Sequence, residues 1–193
     1  MTHDQSTAMI AICIGHSRPG DTGAESVAGI SEHVFNSRIG AKLASILTAR
    51  GMACTVISTY QGNSYGAAIK WLASHLATLQ ATVAIELHFN ASANPQATGH
   101  EWLYWNASSP GRELAMQMER QMYRAFPTLR GRGLKALFAK DRGAEFLRAT
   151  SCPAVICEPF FGTNESDWQL IRNHENRYAQ VLADALLGWK GGA

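Results

Sequence analysis

The chain has 193 residues, is 46% hydrophobic and 17% charged, and carries a formal net charge of +2. That length suits one compact domain with a sizeable core, and the composition excludes a disordered chain. The charge is too small to predict nucleic-acid binding. Cys13, Cys54, Cys152 and Cys157 have no C-x-x-C spacing. Cys13, Cys54 and Cys157 sit in apolar, strand-like runs and read as reduced, buried small hydrophobes, which points to synthesis in a reducing compartment. The opening stretch MTHDQSTAMIAICIGH has no basic n-region, and its apolar run stops at a histidine. It reads as neither signal peptide nor membrane span, so no stable membrane insertion is expected.

Ala8–Ile14 is a continuous apolar run, the pattern of a strand buried on both faces. From Ser31 to Arg50, Phe35, Ile39, Leu43, Ile46 and Leu47 recur at helical spacing, with Ser31 as N-cap and Gly51 as stop. Met52–Ser58 reads as a second strand, and Ser64–Leu79 as a second helix carrying Ile69, Leu72, Leu76 and Leu79. Thr82–Phe89 is a third strand and Glu101–Trp105 a shorter aromatic one. Ser109-Pro110 supplies a cap and first-turn proline for a helix through Phe126, buried along Leu114, Met118 and Met122. Pro127–Thr150 is Gly- and Arg-rich and shows no clear element, with Leu134 and Leu137 as its anchors. Pro153–Phe161 is a late strand, and helices over Ser166–Asn173 and Glu175–Trp189 follow. This alternation predicts an α/β fold: one domain over residues 1–193, with an open, mostly parallel or mixed sheet and helices on both faces.

In such sheets ligands bind beyond the carboxyl ends of the strands. Polar residues interrupt the apolar pattern at those ends. His16 follows the first strand, His88 closes the third and precedes Asn90, and Glu158 sits in the late strand between VIC and PFF. Glu32, in the first helical turn, returns over the same rim. Two histidines and one carboxylate form a catalytic zinc set with a position left open, and a second carboxylate can shuttle the proton of an activated water. Each residue also has an ordinary structural alternative. His16 fits a hydrogen-bonded turn, His88 a satisfied core histidine, and Glu32 a carboxylate favoured by the helix dipole. Glu158 has the weakest such alternative, because a carboxylate among those neighbours must be paired, metal-associated or catalytic to offset its desolvation.

Glu86 shares a strand face with His88 and could orient it from behind, or pair with an arginine elsewhere. His3, His33, His75, His100 and His174 read as surface residues, with His33 and His100 within reach of the rim. Arg124–Arg148 holds seven basic and two acidic residues; it reads as a solvated basic face, the alternative being a surface for an anionic partner. No G-x-S-x-G elbow, Walker loop or G-x-G-x-x-G follows the first strand, so nucleophilic and nucleotide-cofactor readings are weak.

Taken in order, IGHSRPGDTG, SEHVFN, LHFNAS and PAVICEPFFGTN resemble the zinc-dependent N-acetylmuramoyl-L-alanine amidases of the amidase-3 type, and the match runs from Ile12 to about Asn164. The resemblance implies Zn2+ held by His16, Glu32 and His88, with Glu158 as catalytic carboxylate and Asn90 near the metal. It implies peptidoglycan as substrate, cut between the lactyl group of N-acetylmuramic acid and L-alanine. Ser17-Arg18-Pro19 departs from the glycines usual in the first loop, which bears on substrate access or loop rigidity, and Glu86 replaces a small polar residue. The setting implied is a phage or prophage endolysin, made in the host cytoplasm and acting on a Gram-negative wall in the periplasm after release; a secreted housekeeping amidase without its signal is the alternative. A monomer is the favoured state. A zinc carboxypeptidase and a non-catalytic peptidoglycan-binding domain remain as competing readings.

Overall fold

Alternation along single strands decides how this molecule is layered. In the computed structural model, which describes residues 8–189, β1 (Met9–Ile14) turns Ile10, Ile12 and Ile14 into one core and Ala11 and Cys13 into another. Strand β3 (Ala81–Leu87) does the same with Val83, Ile85 and Leu87 against Ala84. Both strands are therefore covered on both faces, which is why they read as unbroken apolar runs.

The remaining strands are β2 (Cys54–Ile57), β4 (His100–Trp105), β5 (Gly131–Leu137) and β6 (Ala154–Glu158), in the sheet order β2-β1-β3-β6-β4-β5. Neighbours run parallel except β4 against β6, so the sheet is mixed, as expected. The larger core is packed by α1 (Glu32–Ala49), α3 (Ser109–Ala125), α5 (Glu165–Arg172) and α6 (Glu175–Gly188). The smaller core lies under α2 (Tyr65–Thr78) and α4 (Ala144–Ala149). Helix α1 is fixed by Ser31, whose Oγ accepts from the Val34 N–H, and by Phe35, Ile39, Leu43 and Leu47, all fully buried. Each such side chain contributes about 1.5–3 kcal/mol. Ser108, one residue before the expected cap, accepts from the Gly111 N–H at the start of α3.

The segment Pro127–Thr150 proves to be structured: it supplies edge strand β5 and helix α4. Its sequence hides this because β5, paired on one side only, carries two glycines and two cations and has no fully buried residue. A register shift at His100/Glu101 accommodates it. All four cysteines are free, with Cys13 and Cys157 buried and Cys54 and Cys152 half-buried. His3 and the rest of the chain before Ala8 lie outside the described residues. Among those described, no helix is long and apolar enough to cross a membrane.

Candidate metal centre

Strands β1, β3 and β6 are adjacent and parallel, so their carboxyl ends lie side by side. The chain goes from β1 to β2 on one side and reaches β3 on the other. A crevice opens at such a reversal. His16 lies two residues beyond β1, His88 directly follows β3 and Glu158 ends β6. Glu86 and Glu158 share the sheet face that carries the smaller core, because Ala84 and Ile156, two residues earlier on each strand, belong to it. A cavity of about 760 Å³ opens there, and its wall includes His16, Glu32, Glu86, His88, Glu101 and Glu158.

Glu32 is the hub. It is 3% exposed, its Oε1 lies 2.8 Å from His88 Nδ1, and its Oε2 lies 3.3 Å from His16 Nε2. Burial alone would raise its pKa, but the two imidazoles hold its carboxyl well below the usual range. Burial would likewise depress both histidines; the carboxylates around them raise them instead, Glu32 acting on His16 and Glu86 with Glu32 on His88.

Two backbone features make this convergence possible. His16 takes φ 58, a left-handed conformation rare for a side chain of this size and of the kind stored at functional sites. Gly15 has no Cβ because the imidazole of His88 occupies that space. The loop is then tied down by Ser17, whose Oγ donates to the Ile14 carbonyl at 2.6 Å, and by Asp21, 2.8 Å from His16 Nδ1. The departure Ser17-Arg18-Pro19 is thus rigidified by a buried serine, while Arg18 lines the cavity.

Glu158 has the opposite environment. Its Oε2 is buried without a hydrogen-bond partner, and burial pushes its pKa up to about 8, with Glu32 and Glu101 adding and His88 and His16 opposing. Glu101 pairs with it in register across β4 and β6, and is itself held by the Asn90 amide and the Arg132 guanidinium, each donating at 3.0 Å. Arg132, and Lys135 at 3.9 Å, thus pair with a carboxylate of the cavity wall, while Arg132 stays exposed to solvent together with Arg124, Arg130, Lys140, Arg142 and Arg148.

One ligand atom each from His16, Glu32 and His88 lies within 4.8 Å of the others. Two nitrogens and a carboxylate, open on one side to a cavity, fit the donor set and vacant position of catalytic zinc. The expected triad thus comes together, with Glu158 on the same cavity wall. Sequence reasoning missed Asp21, Tyr60 and Glu101. The last had a signal, a carboxylate at the head of an aromatic strand; the others lie in loops whose reach only the fold defines. His100 is a correction: instead of lying at the surface it is fully buried, its Nδ1 2.9 Å from Glu119 Oε2 on α3. It faces the larger core with Trp102, so it cannot serve the rim. His33 is half-buried and its Nδ1 lies 3.4 Å from the Gly15 carbonyl, bracing the first loop.

The family model for N-acetylmuramoyl-L-alanine amidase matches residues 10–187. The chain belongs to that family. It is a zinc-dependent amidase, hydrolysing the bond between N-acetylmuramic acid and L-alanine. Among solved structures, the N-acetylmuramoyl-L-alanine amidase from Clostridium difficile 630 is 26% identical, with 95% of this chain and 97% of that one covered and a TM-score of 0.78. The catalytic domain of the CD27L endolysin targeting Clostridia difficile is 25% identical over 94% of this chain and 97% of its own, with a TM-score of 0.80. The catalytic domain of CwlV from Bacillus (Paenibacillus) polymyxa var. colistinus, 24% identical over 95% and 99%, shares the fold at a TM-score of 0.78. No curated protein sequence matches the chain.

Proposed function

We propose that His16, Glu32 and His88 hold the zinc of this amidase and that Glu158 is its catalytic carboxylate, all within one catalytic domain. The observation that carries this reading is Glu158 itself, a half-buried carboxylate whose Oε2 is enclosed without a hydrogen-bond partner on the wall of the cavity that the triad shares. Zinc held by the triad would lower the pKa of a water and polarise the scissile carbonyl. Glu158 accepts a proton from the attacking water as its oxygen bonds to the lactyl carbonyl carbon. It then donates that proton to the alanine nitrogen as the C–N bond breaks, leaving a carboxylic acid and a free amine. A group whose pKa is pushed into the neutral range is suited to both transfers. Pro159 lacks an N–H and restricts the backbone of Glu158, which favours a fixed carboxylate.

The Glu158→Ala protein should bind zinc stoichiometrically yet release no stem peptide from purified wall; full activity would sink the assignment. Replacing His16 or His88 should lower zinc content instead. Mass spectrometry of muropeptide digests, with and without chelator, reads the bond and the metal together. A trimmed peptide terminus would indicate a carboxypeptidase, and binding without new amines a wall-binding domain.

For the setting, we propose a phage or prophage endolysin, made in the host cytoplasm and acting on the periplasmic wall after release. The likeness to the catalytic domain of the CD27L endolysin supports the endolysin part of this reading. Gram-negative cells expressing the chain in the cytoplasm should grow until the inner membrane is permeabilised and then lyse. Lysis without permeabilisation, or none after it, overturns the proposal.

A further inference from the structure

Behind His88, on the side away from the triad, lies a second carboxylate. Glu86 is 4% exposed, and its Oε2 is 3.1 Å from His88 Nε2. Its Oε1 accepts from the Tyr60 hydroxyl at 3.1 Å, and Tyr60 is itself 3% exposed. Tyr60 is anchored through its backbone N–H, which donates to the Ser17 carbonyl at 2.8 Å. The chain Tyr60–Glu86–His88 thus joins the loop after β2 to the loop that carries His16.

We infer that Glu86, held by Tyr60, is a positioning residue that sets the ring orientation and tautomer of His88. The inference rests on the reading of His88 as a zinc ligand. An imidazole binds a metal through a nitrogen that carries no proton, and its other N–H needs an acceptor to fix which nitrogen that is. Glu86 Oε2 lies 3.1 Å from Nε2 and is the carboxylate within reach of a proton there, so with that proton on Nε2 the bare Nδ1 is left facing Glu32 and His16, where the ligand atoms converge. His16 has the mirror arrangement, with Asp21 on Nδ1 and Nε2 turned to Glu32.

The two supports differ in their surroundings. The Asp21 side chain is 28% exposed and that of Glu86 only 5%. A carboxylate so deeply enclosed interacts with its partners at low local dielectric and is costly to leave unpaired. The Tyr60 hydroxyl, donating to Oε1, and the His88 ring, 3.1 Å from Oε2, answer that cost on both oxygens. The side chain is therefore tied from two directions, and the ring it supports has no room on its other flank, where Gly15 abuts it.

The experiment measures zinc affinity by competition with a chromophoric chelator for the whole chain and its Glu86→Ala, Glu86→Gln, Tyr60→Phe and His88→Ala variants. Glu86→Ala should weaken zinc binding about 10–100-fold, the usual worth of an outer partner of a metal-bound histidine. Glu86→Gln, whose amide oxygen can still accept from Nε2, and Tyr60→Phe should each lose less than Glu86→Ala. Long-range nitrogen–proton spectra of the zinc-loaded protein should place the His88 proton on Nε2, and that signal should broaden or move in Glu86→Ala. Unchanged affinity in Glu86→Ala, with zinc lost in His88→Ala, overturns the positioning role and spares the ligand reading. Unchanged affinity in His88→Ala overturns both. If Glu86→Ala does not fold, Glu86→Leu, which keeps the bulk and offers no acceptor, decides in its place, and wild-type affinity in it rejects the inference.

Discussion

Glu32 and Glu158 are two carboxylates on one cavity wall, each enclosed by the fold, and their surroundings drive them apart. Glu32 faces an imidazole on each oxygen and accepts the Phe89 N–H as well, so it stays ionised. Glu158 has an oxygen with no partner and a carboxylate, Glu101, in register beside it, so it holds a proton far more readily. Same side chain and same cavity, yet one environment makes a ligand and the other a proton carrier. Environments that separate the pKa values of neighbouring groups divide chemical labour between them.

The sharpest way to break this division is to neutralise each in turn. Glu158→Gln should lower kcat by roughly 10²–10⁴ while zinc affinity stays near wild type. Glu32→Gln should weaken zinc binding by more than the roughly 10–100-fold that outer partners are worth, with activity following occupancy. Kinetics on muropeptides beside zinc titrations check both, and a swap of the two phenotypes would overturn the comparison. A smaller effect is expected where the two halves of the site touch. Gly15→Ala places a methyl inside the volume of the His88 ring. Such overpacking costs about 1–3 kcal/mol, or a Tm fall of roughly 2–4 °C per kcal/mol. Calorimetry should register that fall together with weaker zinc binding, and neither change would mean that the ring has slack.

The ligand side was the more legible in sequence. His16, His88 and Glu158 stand out because each is polar at the end of an apolar strand, and the rule that ligands gather at carboxyl ends collects them. Glu32 was ambiguous, since an acid in a first helical turn satisfies the helix dipole whether or not it binds anything. Only the fold, which sets its two oxygens against two histidines, separates those cases. Tyr60 and Asp21 belong to loops, whose side-chain reach no periodicity encodes. Strand β5 escaped for a related reason: with a neighbour on one side only, it needs no alternation strong enough to read. His100 looked like a surface residue because its partner, Glu119, lies on a helix that reaches it only after folding.

The mildest test of the comparison uses stability instead of activity. In metal-free protein, Glu158 has a folded pKa of about 8 against an ordinary value near 4.5. Between those values the folded state keeps a proton that the unfolded chain releases. Folding is therefore progressively penalised as pH rises from about 4.5 to 8, and the penalty is complete above 8. Glu158→Gln removes the titration and keeps the shape. Its stability advantage over wild type should be smallest near pH 5, grow through neutrality and level off above pH 8. Discounted for residual water at the cavity, the plateau is of order 2 kcal/mol, or about 4–8 °C in Tm. Thermal melts of both metal-free proteins across pH 5–9 measure it. Glu32→Gln should behave in the opposite sense, because Glu32 is held ionised and its pairing with the two histidines is lost. A pH-independent advantage for Glu158→Gln would mean that Glu158 is already ionised in the folded state, and that the two carboxylates are not separated at all.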